Sequence, residues 1–248
     1  MISALAISYN EEAHIEKFIK SLSFADEIII VDSDSTDNTV ELAKSLGAIV
    51  LIRDFDNFSN QKNLALQQAK HEWVVFFDLD ESINQDLAEE IKSSIANPGT
   101  ADAFKVKRNF YFMGKCIKYS GFQNDAVVRI FKKSKAKYSN SLVHETLEID
   151  GNIGSLKHRS DHFSYKGFDH YNNKLTHYSK LQAKALYNKN VRPNLYHFLI
   201  RPCYRFWHQY LIRLGFLDGK EGFILAYTSA FAVFKRYLYL WTMYRNIE

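Results

Sequence analysis

Four short apolar runs, each followed by a helical pattern, constrain the first hundred residues more than any other feature of the chain. ISALAIS at 2 to 8 is apolar enough for a strand, and behind it Ile15, Phe18, Ile19 and Leu22 recur at i, i+3, i+4 and i+7, with Asn10 placed to cap that helix. EIIIVD at 27 to 32 is a second strand, and SDSTDNT leads into a helix carrying Val40, Ala43 and Leu46 that Gly47 stops. AIVLI at 48 to 52 is a third, before a helix that starts near Ser59 and runs through Leu64, Leu66 and Ala69. WVVFF at 73 to 77 is the fourth, and Asn84 can cap a last helix with Leu87, Ile91 and Ile95. Strands with no polar face, alternating with helices, predict a parallel sheet covered by helices.

In an open sheet of this kind a ligand sits beyond the carboxyl ends of the strands, where the strand order reverses. Asp32 and Asp78 each stand at such an end, and the fourth strand runs on as DLDE, adding Asp80 and Glu81. The first strand is followed by SYNEE, so neither glycine-rich way of cradling a phosphate is present. Carboxylates can still hold an anionic nucleotide if a hard divalent cation, Mg²⁺ or Mn²⁺, stands between them. The competing reading of Asp78 and Asp80 is structural: a wet strand end feeding an acidic first helical turn, which the helix dipole favours. Asp32 and Asp34 could equally cap the following helix.

Hydrophobic residues at 46% and charged residues at 24% are globular values, and 248 residues suffice for one large domain or a domain with an appendage. Cys116 and Cys203 give neither a metal-ligand spacing nor a disulfide framework, which points to a reducing compartment and to packing roles. The N-terminal apolar run lacks a basic leader and reads as a strand rather than a signal peptide. The net charge of +4 hides a division: residues 1–97 hold 7 Lys and Arg against 18 Asp and Glu, whereas residues 98–248 hold 25 against 10. Two such parts face different partners.

AISYNEEAHIEKFIKSL, DEIIIVDSDSTDNT and FSNQKNLALQQAKHEWVVFFDLDE, in that order, resemble the opening of an inverting family 2 glycosyltransferase, and LVHETL with the C-terminal LGFLDGKEGFILAYTSAFAVFKRYLYLW resembles bacterial enzymes that add a sugar to the lipopolysaccharide core. The resemblance implies a GT-A fold: a Rossmann-like α/β domain with a mostly parallel sheet, followed by a helical, aromatic-rich C-terminal extension. It implies a catalytic domain over 1–185, with 1–97 binding the nucleotide-sugar and 98–185 the acceptor, and a basic, aromatic segment over 186–248. It implies metal-dependent transfer of one hexose, from UDP-glucose or a close relative, to a hydroxyl of a lipid-anchored oligosaccharide. Residues 99 to 140 match only loosely.

The same resemblance distributes roles. Ala6, Ser8, Tyr9, Glu11 and Asp32 would form the donor pocket, with Asp32 accepting a hydrogen bond from the base. Asp78 would touch the ribose or reach the metal through water, and Asp80 would coordinate the cation that bridges the donor phosphates. Gln61 and Lys62 stand where relatives often carry Gln-Arg; Lys62 could meet the phosphates, but a lysine near a helix start is ordinarily solvated, and it lacks the bidentate fork of arginine. Asp34 stands where relatives often have Gly. Glu81 is open between supporting the site and capping a helix. Inversion needs a base opposite the leaving group. LVHETL offers His144 and Glu145, which face opposite sides if they lie on a strand; the resemblance favours Glu145 as base, with His144 turned toward the metal, a phosphate or packing. His158 and His162 are not taken as a metal pair.

From Tyr187 onward, Arg201, Arg205, Arg213, Lys235 and Arg236 alternate with aromatics such as Trp207, Phe223, Tyr227, Phe231, Tyr237 and Trp241. Cations beside rings suit an anionic membrane surface, which would hold the enzyme at the inner face of the bacterial cytoplasmic membrane; the alternative is that these rings pack on the catalytic domain. FILAYTSAFAVF is too short to span a bilayer. No nucleic-acid motif is present, and LGFLDGKEG reads as a turn. The Q-x-x-R-W signature of processive synthases is absent, so a single addition is expected. Two other functions compete: a phosphohydrolase of the haloacid dehalogenase type, whose D-x-D the run VVFFDLDES imitates, and a non-catalytic module that binds sugar-nucleotide or glycolipid. Against the first, three strand-helix units precede the motif and Ser82 stands where Thr or Val is usual.

Overall fold

The structure, a computed structural model, describes residues 1–139, 146–165 and 167–247. The chain separates into two compact units, Met1–Arg108 with Asp125–His162, and Asn109–Asn124 with Phe163–Glu248. Helix α5 (Phe168–Asn188) runs unbroken across residue 185.

In the first unit the expected order of elements is present: β1 (Ile2–Ser8), α1 (Glu12–Ser21), β2 (Glu27–Asp32), α2 (Thr39–Ser45), β3 (Ile49–Ile52), α3 (Phe58–Gln68) and β4 (Trp73–Phe76). β1 pairs in parallel with β2 and β4, and β2 with β3. Both faces of the central strands are buried, which is why their sequences do not alternate with polar residues. Leu5, Ile29 and Phe76 lie in adjacent register and join one core with Ala65 and Leu66 of α3. Ala4, Ala6, Ile30 and Val75 turn to the other face, against Ile15, Phe18 and Ile19 of α1 and Leu87 and Ile91 of α4 (Gln85–Ala96). Each fully buried large apolar side chain contributes about 1.5–3 kcal/mol, so this double layer is the scaffold of the site.

Beyond β4 the sheet changes character. The strand order is β3-β2-β1-β4-β8-β6-β11-β5, with β5 at Glu81–Ser82, β6 at Ala103–Phe112, β8 at Ala126–Lys132 and β11 at Ile153–His162. β8 is antiparallel to both β4 and β6, and β5 is antiparallel to β11. A separate ribbon pairs β9 (Ala136–Tyr138) with β10 (Leu147–Ile149).

Helix caps depart from expectation in instructive ways. Asn84 caps α4 as expected, its side chain accepting from Leu87 N at 2.9 Å, and Asn57 does the same for α3 from Asn60 N at 2.8 Å. Asn10 does not cap α1: it takes a left-handed backbone (φ 53°), and its side chain accepts from Thr36 N at 2.8 Å, tying the first loop to the second. Asp34 is also left-handed, with φ 63°. Glycine enters that region without steric cost, and aspartate is among the few residues that tolerate it.

The second unit is helical apart from a hairpin, in which the end of β6 pairs with β7 (Lys115–Ile117). Besides α5 it holds α6 (Arg201–Trp207) and α7 (Lys220–Tyr244), and wider π-type turns at Tyr196–Ile200 and His208–Ile212 flank α6. The turn before α7 is an anchor. Asp218, buried, accepts from Lys118 N at 2.9 Å, Tyr119 N at 3.1 Å and Ser120 Oγ at 2.8 Å. Gly222 is required there because a Cβ would lie 1.9 Å from the Gly215 carbonyl oxygen.

The aromatic C-terminal segment divides between core and surface. Tyr237 and Lys235 are buried, Lys235 Nζ donating to Thr176 Oγ1 at 2.7 Å, whereas Trp207, Phe223, Tyr227 and Phe231 are exposed. The cysteines correct the expectation of burial: Cys203 is exposed and Cys116 half-buried. No helix among the described residues is long and apolar enough to cross a membrane.

Candidate functional site

The strand order reverses at β1 and β4, and the carboxyl ends of β1, β2 and β4 meet there. Ser8 lies opposite Asp32 in the β1–β2 register, and its Oγ donates to Asp32 Oδ2 at 2.6 Å. Ser35 adds its backbone N at 2.7 Å and its Oγ at 2.6 Å. Asp32 is fully buried and organises the turn after β2; it does not cap α2, whose N-cap position is Asn38, so the capping role weighed for it is not observed. Ala6 is buried within β1, while Tyr9 stands exposed just past the strand end. Glu11 is the residue just before α1; its N donates to Thr39 Oγ1 at 2.8 Å and its carboxylate meets His14 Nδ1 at 2.7 Å.

The Gln61-Lys62-Asn63 run serves three separate contacts. Gln61 Nε2 donates to Arg53 O at 2.9 Å and Ser33 Oγ at 3.2 Å, clamping the loops after β2 and β3. Asn63 pairs with the backbone of Tyr138 in both directions, at 2.9 and 3.0 Å. Of the two readings of Lys62 the solvated one fails: it is 6% exposed, 3.7 Å from Asp78 Oδ1, with the rings of Phe76 and Tyr138 beside it.

Past β4 the carboxylates sort into two groups. Asp78 is bridged by Lys62 and by Arg129 Nη2, which also donates to Glu81 Oε1 at 2.8 Å. Arg108 reaches Glu81 Oε1 at 3.1 Å and grips Asp125 through two nitrogens at 2.9 and 3.0 Å. Three cations thus face three carboxylates, Asp78, Glu81 and Asp125. Burial by itself would raise the Asp78 carboxyl, but the charges of Arg129 and Lys62 outweigh it and hold Asp78 well below the usual carboxylate range. Arg129, whose burial opposes its charge, is pushed above its ordinary value by Asp78 and Glu81. Glu81 lies 2% exposed in β5 and belongs to this cluster; Asn84, not Glu81, caps α4.

Asp80 stands outside that balance. Its Oδ2 is 3.2 Å from His162 Nε2, and its Oδ1 is buried with no hydrogen-bond partner. The pairing of β5 with β11 places His162 opposite Glu81, and so beside Asp80. His158, four residues earlier, is engaged by Glu90 at 2.8 Å and takes no part. Among the described residues no three His, Cys, Asp or Glu side chains converge on one point. An orphaned carboxylate oxygen beside an imidazole nevertheless fits a divalent cation that takes its remaining ligands from a bound anion and water.

Sequence reasoning missed Arg129, Arg108 and His162. For Arg129 a signal existed: one arginine inside the apolar run VVRIF must find buried carboxylates when that strand enters a sheet. His144 and Glu145 lie outside the described residues.

The sequence profile described as Glycosyl transferase family 2 matches residues 3–127. An uncharacterized glycosyltransferase of Rickettsia typhi is 30% identical over 95% of this chain and 85% of its own length. The lipopolysaccharide core biosynthesis glycosyltransferase LpsC of Rhizobium meliloti is 29% identical, covering 95% of this chain and 93% of LpsC. Among solved structures, residues 1–349 of S. aureus TarS in complex with UDP-GlcNAc superpose with a TM-score of 0.50, over 99% of this chain and 92% of that one, at 15% identity; this is a likeness of fold.

Proposed function

This chain belongs to glycosyl transferase family 2 and has a GT-A-like α/β fold with a helical C-terminal region, and from that premise we propose that it transfers one hexose from a UDP-sugar, UDP-glucose or a close relative, to a hydroxyl of a lipid-linked oligosaccharide, with inversion at the anomeric carbon. The observation that carries the reading is the unpartnered Asp80 oxygen beside His162, at the strand ends where an α/β sheet binds its ligand. The likeness to LpsC over nearly the whole of both chains supports a lipopolysaccharide-core type of acceptor.

Asp80 and His162 would hold a divalent cation, Mg²⁺ or Mn²⁺, which when bound supplies positive charge against the diphosphate as it leaves. Asp78 cannot serve as a free nucleophile, because Arg129 and Lys62 already hold it; its place is to keep Lys62 and Arg129 fixed at the edge of the donor site and to face the ribose. Asp32, oriented by Ser8 and Ser35, borders the base pocket with Tyr9. The proton of the attacking hydroxyl would pass to Glu145. The exposed rings of Trp207, Phe223, Tyr227 and Phe231 support contact with a membrane surface.

A screen of nucleotide-sugars with Mn²⁺ or Mg²⁺, reading release of the nucleotide diphosphate, tests the donor side. Release from a UDP-hexose is expected; no release from any donor ends the reading. Glu145→Gln should then bind donor as the parent does and lose transfer, and a fully active variant would move the base elsewhere.

A further inference from the structure

The helical unit contains a cavity of about 650 Å³ between α5, the π-type turn at Tyr196–Ile200, α6 and α7. Arg201, Arg205 and Arg236 line it together with Tyr178, Tyr196 and Tyr204. No Asp or Glu among the described residues lies within ion-pair distance of any of these three guanidinium groups, unlike Lys62, Arg108 and Arg129 of the first unit, each of which meets a carboxylate. Residues 163–248 as a whole carry 13 Lys and Arg against 4 Asp and Glu, so little acidic charge is at hand.

Arg236 is half-buried, Arg205 is exposed, and Arg201, though exposed, is tethered by a hydrogen bond. Arg201 donates from Nη1 to Tyr237 Oη at 2.8 Å, and Tyr237, on α7, is itself buried. Arg236 Nε is buried and has no hydrogen-bond partner. Burial pulls the Arg236 guanidinium below its ordinary value, Tyr237 opposes that pull, and the charges of Arg201 and Arg205 add to it. Three like charges around one cavity, one with a buried unmet donor, cost free energy that an anion would return.

We propose that this cavity binds a phosphomonoester, with Arg201, Arg205 and Arg236 as its ligands and the tyrosine hydroxyls as supporting donors. Arginine forks match the oxygen geometry of phosphate, and a dianion balances three cations better than a carboxylate can. The volume exceeds that of a phosphate group, so part of the molecule bearing it also enters. The inference rests on the glycosyl-transfer reading in one respect: the phosphate would belong to the acceptor, on its saccharide or on the lipid headgroup that anchors it.

Calorimetric titration of the full chain with inorganic phosphate and glucose 6-phosphate, beside sedimentation with phosphatidylcholine vesicles containing phosphatidic acid or phosphatidylglycerol, tests it. Binding of the soluble phosphates that falls about tenfold or more in both Arg205→Gln and Arg236→Gln supports a saccharide phosphate. The same loss seen on phosphatidic acid vesicles alone supports a headgroup. Arg205 is exposed, so its variant tests the site even if Arg236→Gln unfolds. Unchanged binding in Arg205→Gln, no binding of any phosphomonoester, or equal binding to phosphatidylglycerol overturns the proposal. Donor hydrolysis by the same preparation separates the two ideas: hydrolysis without phosphate binding removes the cavity alone, and phosphate binding without hydrolysis removes the transferase reading alone.

Discussion

His162 Nε2 lies 3.2 Å from Asp80 Oδ2, joining the last residue of a long strand to the acidic turn that follows β4. The contact follows from register, since β5 and β11 pair Glu81 with His162 and Ser82 with Asp161. A one-residue slip would turn the imidazole to the other face of the sheet. That pairing brings a second metal-competent side chain to a carboxylate that the surrounding arginines leave alone.

Asp80→Ala is therefore expected to abolish metal-dependent donor hydrolysis, and His162→Ala to raise the Mn²⁺ concentration for half-maximal hydrolysis by at least about tenfold. Asp80→Ala should melt close to the parent, because Asp80 contributes no hydrogen bond through its buried Oδ1. Hydrolysis by His162→Ala with the parental Mn²⁺ dependence would remove His162 from the metal site.

Arg129 is the opposite case, a residue whose loss should be read in stability. Its removal leaves Asp78 and Glu81 short of their shared donor, with the Glu81 side chain fully buried. Arg129→Met should cost about 3–5 kcal/mol in urea unfolding of the isolated protein. A variant with parental stability would mean that Lys62 and Arg108 suffice for both carboxylates.

Glu90 gives the acid limb of stability a specific origin. On α4, it accepts from Lys157 N and His158 N, each at 2.8 Å, and so fastens the helix to β11. Burial would raise its carboxyl, but the two backbone donors and His158 prevail and hold it below the ordinary range. A depressed folded value means stability that is complete above the unfolded value of about 4.3 and is lost as pH falls through the folded one. Glu90→Gln should lower stability at neutral pH and flatten the decline below about pH 5. An acid limb of parental slope in that variant would assign the decline to other carboxylates.

Asp218 should behave as a tether of the β7 hairpin. Asp218→Asn keeps the size but loses the charge that two backbone N–H groups and Ser120 share, at a cost of about 2–3 kcal/mol. Hydrogen exchange at Lys118 and Tyr119 should rise with it. Unchanged protection there would show that the turn is held by its glycine packing instead.

The legible part of the site lay where chemistry and strand ends coincide. Asp32, Asp78 and Asp80 could be read as a group because apolar runs end on Asp32 and Asp78 and Asp80 follows two residues on, and the helix caps Asn84 and Gly47 followed from local rules. For Lys62 the sequence left a phosphate contact and a solvated side chain both open, because a helix start says nothing of what packs above it. Asn10 was misread as a cap because its left-handed backbone serves the neighbouring loop instead.

What the amino-acid order determined by itself was the succession β1 to β4 with their helices, since apolar periodicity acts over a few residues and needs no partner to be recognised. The tertiary structure alone decided which charges meet. Arg129 reaches Asp78 across 51 residues of chain and His162 reaches Asp80 from farther still. Both come through antiparallel strands whose mixed polar patterns do not announce their neighbours. A buried charge takes the nearest opposite charge that folding brings to it, and nearness in a sheet is a property of pairing and register rather than of sequence distance.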